Sequence, residues 1–273
     1  MVIYYIILGC TTVLGGGLFI KWLAETEFGT KSLDSAPPRF NYMPDYFPFV
    51  VLGGWFLISI AGASLAERYT SKMADWGQNF AVYASYCLVE IGAIIFIAYA
   101  AKQYFVNGLS GFGIRYRGIF RDIISALGIL ITVWPLMAVL LLVVSYIGSY
   151  IAGPDFKMQQ NPGMEVILQY PQLSVRILMF VFAALVTPVF EEMVFRGLLQ
   201  SYFKNCILGP WTSIFLVSAI FSSLHPLMHF PAIFLLSAAM GYAYEKSGSL
   251  VRTMLLHCFF NSMQITMALF LQS

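Results

Sequence analysis

The sequence predicts an all-α, polytopic membrane protein of about eight transmembrane helices, with a catalytic cavity formed by the C-terminal helices. Three observations lead there. Of 273 residues, 59% are hydrophobic and only 10% charged, against about 25% charged in soluble domains. Apolar runs long enough to cross a bilayer, about 20 residues each, recur along the chain. The few buried-looking ionisable residues gather in one C-terminal region, where all three histidines also fall. The formal charge of +2 is small and scattered, which excludes a nucleic-acid partner.

Taken in order, the expected spans are 2–22, 47–66, 80–101, 123–151, 175–200, 211–224, 231–245 and 250–271. The first lacks a basic flank and runs long for a signal sequence, so it reads as a retained span. Residues 23–47 form a charged, proline-bearing loop, and the loop 102–122 holds the basic, glycine-rich run GLSGFGIRYRG, which suits a membrane interface. The polar segment 153–174 separates N-terminal transmembrane helices, 1–152, from a catalytic core, 175–271, within one integral membrane unit. Pro226 and Pro231 interrupt the later spans, which a membrane tolerates where the backbone is buried in protein or lines a wet cavity. Alternating loops place most lysines and arginines on one side. The positive-inside rule makes that side cytoplasmic, with both termini outside. Cys10, Cys87, Cys206 and Cys258 lack paired spacing and read as small core residues, not as a zinc knuckle or disulfide framework.

The chemistry-bearing residues begin with Glu191, Glu192 and Arg196. An ionisable side chain at bilayer depth costs roughly 2.5–3.5 kcal/mol, so three in one span call for a function. Glu192 and Arg196 are i,i+4 neighbours in the favourable acid-first order, while Glu191 points about 100° away. Glu192 is therefore expected to pair with Arg196, and Glu191 to remain available as a general base. His257 and Asn261 share the same spacing on the last span, where a ring nitrogen and an amide can serve as an oxyanion hole. His225 precedes Pro226, where a helix breaks and opens to water, and is expected to act with Glu191 on that water. His229 is expected to line the cavity.

The runs EEMVFR (191–196), FSSLH (221–225) and HCFFN (257–261) resemble the three motifs of the CPBP family, EExxxR, FxxxH and HxxxN, in the same order. That family comprises type II CAAX prenyl endopeptidases together with bacteriocin-processing, self-immunity and abortive-infection proteins. The resemblance implies an intramembrane endopeptidase with a cavity open to the cytoplasm. Glu191 and His225 would activate water, His257 and Asn261 would hold the oxyanion, and Glu192 and Arg196 would support the site. It implies no cofactor and no metal, and a partner that is a membrane-anchored peptide or prenylated protein in the lipid bilayer. Two other readings stand beside it. One makes Glu191, His225 and His257 ligands of zinc, and the absence of an HExxH run disfavours it. The other is a non-catalytic membrane scaffold or bacteriocin-immunity protein that uses the same cavity.

Overall fold

The computed structural model describes residues 2–153 and 155–272, with the side chains of 2–8, 207–208 and 271–272 left aside. Among the described residues the chain is helical, with short connections and one isolated antiparallel bridge between Asn41 and Phe105. Long helices follow from long apolar runs: in hydrocarbon every backbone N–H and C=O must be satisfied within its own segment, which a helix does.

In chain order the elements that matter are α1 (Val2–Thr26), α2 (Phe47–Thr70), α3 (Asp75–Tyr104), α4 (Ile119–Ala152) and the short α5 (Pro162–Gln169). There follow α6 (Leu173–Cys206), α7 (Gly209–Ser223), α8 (Phe230–Ser247) and α9 (Leu250–Gln272). Among the described residues six helices are long and apolar enough to cross a membrane: α2, α3, α4, α6, the stretch Leu227–Ser247 that includes α8, and Leu250–Phe270 of α9. Their outward faces carry large apolar side chains such as Leu57, Leu88, Ile95 and Leu142. The protein is an integral, multi-pass membrane protein.

The eight expected spans map onto these helices with two differences. The expected span 2–22 coincides with α1, but its residues 2–8 carry side chains outside the described set. The expected span 211–224 falls on α7, which has 15 residues. At 1.5 Å per residue α7 is roughly 22 Å long, short of a hydrocarbon core of about 30 Å. The polar segment 153–174 also contains α5, whose start is set by Asn161: its side chain accepts from the Gly163 N–H, and Pro162 occupies the first helical position, where a missing N–H costs nothing.

The chain divides into two compact units. One comprises Met1–Pro38, Tyr116–Gln160 and Phe203–Leu256; the other comprises Arg39–Arg115, Asn161–Tyr202 and His257–Ser273. Each draws on both sides of the 153–174 segment. In the first unit α1 packs on α4 through Gly15, where a Cβ would lie 3.2 Å from the Pro135 ring and would overlap the Ile131 carbonyl. Pro135 cannot donate to that carbonyl, so the absent side chain at Gly15 admits a close backbone approach beside it. Charges in this unit are paired: Arg252 donates to Asp122 through Nε at 3.0 Å and Nη2 at 2.9 Å, Ser249 donates to the other Asp122 oxygen at 2.7 Å, and Lys204 pairs with Glu245 at 2.7 Å. An aromatic knot closes the α1 end. The Trp22 indole donates to the Tyr242 hydroxyl at 2.9 Å, Trp211 stacks on the Tyr242 ring, and Ser32 shares the same hydroxyl.

In the second unit α2 and α3 form an antiparallel pair, and α3 packs against α6. The core below the carboxylates is apolar: Val166, Ile167, Val175, Met179, Ala184 and Ile265 are buried together. Phe182 is held by Tyr83 and Tyr86, and Phe190 lies against Trp55.

Gly29 sits at the centre of the aromatic knot with φ +84°, and a Cβ there would lie 2.7 Å from Trp211, 2.8 Å from Trp22 and 2.9 Å from Tyr242. Gly29→Ala should therefore lower stability by about 1–3 kcal/mol, read as a lower thermal midpoint in detergent. Gly16→Ala, whose Cβ meets open space, should leave the midpoint unchanged or raise it.

Candidate active site

The carboxylate pair is carried on a helix with an unusual register. Within α6 the α-helical turn Thr187–Glu192 lies between two π-helical stretches, Phe182–Val186 and Met193–Gln200. Pro188 explains the first. A proline inside a helix removes one N–H and clashes with the preceding turn, and a wider turn accommodates it. The Thr187 N–H accordingly bonds to the Phe182 carbonyl, five residues back. In that register the Ala183 carbonyl faces residue 188, which has no N–H to give. Two side chains from neighbouring helices complete the junction. Asn261 of α9 donates its amide Nδ2 to the Ala183 carbonyl at 2.8 Å, and Thr187 donates its hydroxyl to Glu90 Oε2 of α3 at 2.7 Å.

One turn further on, the two glutamates part company. Glu192 is fully buried, and its Oε1 accepts from Arg196 Nη1 at 2.9 Å, with Arg196 also fully buried. His257 Nδ1 lies 3.1 Å from the same oxygen, and its Nε2 lies 3.7 Å from Glu191 Oε2. The Glu191 side chain keeps 22% of its exposure and feels the charges of Glu90, Glu192 and Arg196. Gly197, next to Arg196, makes room for the buried Phe112 ring, which a Cβ there would overlap. That ring closes the far side of the ion pair's helix.

The structure thus gathers Glu191, Glu192, Arg196 and His257, and holds Asn261 on the same α6–α9 contact. The Glu192–Arg196 pair forms at the spacing read from the sequence. The His257 ring faces the glutamates, and one Asn261 amide N–H bonds to backbone. His225 belongs to the first unit. Its Nδ1 lies 3.0 Å from the Phe221 carbonyl, with the Phe221 ring 4.9 Å away. If Nδ1 donates to that carbonyl, Nε2 is the basic nitrogen. α7 ends at Ser223, before Pro226, as the break expected there requires. His229 lies on the following 3-10 turn with Nε2 2.9 Å from the Gln159 carbonyl, a contact that ties the turn to the polar segment.

Sequence reasoning passed over Glu90, which is 3% exposed in the middle of α3. The signal was present: a lone carboxylate inside an apolar span is a candidate functional residue by default. Among the described residues no three histidine, cysteine or acidic side chains are grouped so as to hold a metal ion.

The Asn261–Ala183 bond exists because residue 188 offers no N–H, which makes its energy conditional. Asn261→Ala should cost about 1–3 kcal/mol by leaving a buried carbonyl unsatisfied. In a Pro188→Ala background the new amide at 188 can take that carbonyl, so the same substitution should cost less. A double-mutant cycle on thermal or denaturant unfolding in detergent measures the difference, and strictly additive losses would refute this account.

Residues 173–263, about a third of the chain and the segment that carries all three motifs, match the family model described as type II CAAX prenyl endopeptidase Rce1-like. No curated protein and no solved structure matches the chain. The segment that carries EExxxR, FxxxH and HxxxN in order is thus similar to the Rce1-like, type II CAAX prenyl endopeptidase family over residues 173–263.

Proposed function

We propose that the protein is an intramembrane endopeptidase that hydrolyses a peptide bond in a membrane-associated, CAAX-type substrate, from a cavity open to the cytoplasm. The observation that carries this reading is the asymmetry of the glutamate pair. Glu192 is fully buried against Arg196 at 2.9 Å and His257 at 3.1 Å, whereas adjacent Glu191 keeps partial exposure and, among the described residues, has only the His257 ring, at 3.7 Å, within salt-bridging distance. Two like groups with different surroundings are what acid–base work requires, and the likeness of residues 173–263 to the prenyl endopeptidase family model supports the choice of substrate class.

In this mechanism Glu191 accepts a proton from water, and His225 enters by its place in the FxxxH motif alone. The hydroxide adds to the scissile carbonyl carbon, and the negative charge collects on the former carbonyl oxygen. Asn261 has two amide N–H groups. One serves Ala183, and the other is the donor for the oxyanion. His257, whose Nδ1 lies 3.1 Å from Glu192 Oε1, presents its Nε2 as the second polar group of that face. Collapse breaks the C–N bond, and the proton held by Glu191 passes to the leaving amine, so water is consumed as a hydroxyl on one product and a hydrogen on the other. Arg196 holds Glu192 at 2.9 Å, and Glu192 in turn orients His257.

Cleavage of a fluorogenic farnesylated CAAX peptide by the detergent-solubilised protein tests the reading. Glu191→Ala and His225→Ala should each lower kcat by about 10²–10⁴, and Asn261→Ala by about 10²–10³. Activity should survive a strong chelator. Full activity in Glu191→Ala removes the glutamate mechanism, and loss on chelation that is restored by added zinc favours the metal reading. Cleavage of the unprenylated peptide at the same rate would make the prenyl group dispensable.

A further inference from the structure

Among the described residues Glu90 is the one buried carboxylate in the second unit that the mechanism above does not use. It lies midway along α3, 3% exposed, in a helix apolar enough to cross the membrane. Among the described residues no lysine, arginine or histidine pairs with it, and its partner is the Thr187 hydroxyl at 2.7 Å. Stability does not account for such a group, because a buried carboxylate held by a single neutral donor is poorly compensated, and an apolar side chain of similar size packs at lower cost.

The location of Thr187 gives the group a use. Thr187 opens the α-helical turn that ends at Glu192, and it is the residue at which the π stretch hands over to that turn. Glu191 is its i+4 neighbour, so the two side chains lie on one helix face. A threonine inside a helix ordinarily bonds back to the carbonyl four residues earlier, here Ala183, but Asn261 occupies that carbonyl. The hydroxyl is thereby directed outward to α3. A helix interrupted by a proline and two π stretches has few internal bonds to hold its rotation at this point, and the Glu90–Thr187 bond supplies one from outside.

We propose that Glu90, acting through Thr187, is a positioning residue that fixes the turn carrying Glu191 and directs the Glu191 carboxylate toward His257. The role rests on the reading of Glu191 as the general base.

Four variants in the peptide-cleavage assay test it. Thr187→Val and Glu90→Leu remove the bond, and each should lower kcat by about 10- to 100-fold with KM within twofold. Thr187→Ser keeps the hydroxyl and Glu90→Gln keeps an acceptor oxygen, and both should stay near wild type. The double variant Thr187→Val with Glu90→Leu should be no worse than the worse single change. Glu90→Leu should also keep or raise the thermal midpoint, which separates lost positioning from lost folding. Amide hydrogen exchange across residues 183–196 reads the same bond without any substrate: it should rise in Thr187→Val and Glu90→Leu and stay unchanged in the two conservative variants. Unchanged exchange together with wild-type kcat in Thr187→Val overturns the proposal. If the wild type cleaves no peptide while exchange responds as expected, the protease reading falls and the Glu90 clamp on the Glu191 turn stands.

Discussion

A charge inside a hydrocarbon-spanning helix must be answered by another protein group, and the polar architecture of this chain is a set of such answers. Asp122 is met by Arg252 and Ser249, Glu245 by Lys204, and Glu192 by Arg196 and His257. Each pairing is close and mostly buried, the arrangement in which losing one partner costs about 3–5 kcal/mol because the other is left uncompensated. These pairs do not make the protein more stable than apolar residues would; they restrict which helices can meet and in what rotation. Against them Glu191 and Glu90 stand out as carboxylates that, among the described residues, have no matched lysine or arginine.

The second constraint is a missing hydrogen. Pro188 deprives α6 of one amide just before the glutamates, and the consequences extend outward through named bonds: the π register at Thr187, the carbonyl of Ala183 left over, the Asn261 amide that takes it, and the Thr187 hydroxyl directed to Glu90. A regular α-helix would have satisfied itself and needed neither α3 nor α9 at that depth. The irregular one is tied to both, so the turn bearing Glu191 is fixed by three helices instead of one. Irregular backbone within a membrane is tolerated only under such cover.

Much of this was legible in the sequence, and the boundary is physical. Length and apolarity marked the long helices, because crossing hydrocarbon imposes both. The acid-first i,i+4 spacing of Glu192 and Arg196 announced their pair, since that contact lies within one helix and depends on nothing else. The π stretches were not legible: a proline in a span shows that register must give way somewhere, not which carbonyl is orphaned or which neighbour takes it. His257 and Asn261 were read as two arms aimed at one spot from their shared spacing. Their partners, Glu192 and Ala183, lie on another helix, and no periodicity in α9 encodes that. Glu90 was visible as a letter and invisible as a neighbour, because it is 97 residues from Thr187.

The difference between the two adjacent glutamates then follows from rotation alone. Successive residues on a helix point about 100° apart, so one dipeptide in one membrane segment presents its carboxylates to two environments. On one side lie Arg196 and full burial, and there Glu192 meets the His257 ring. On the other lie partial exposure and a histidine nitrogen just beyond hydrogen-bonding distance, the surroundings that the proposed base requires. The same composition in a helix rotated by one residue would exchange the roles and bury the base. Holding that rotation is therefore as much a requirement of the chemistry as the glutamates themselves, and the proline junction, with its anchors on α3 and α9, is where this chain meets it.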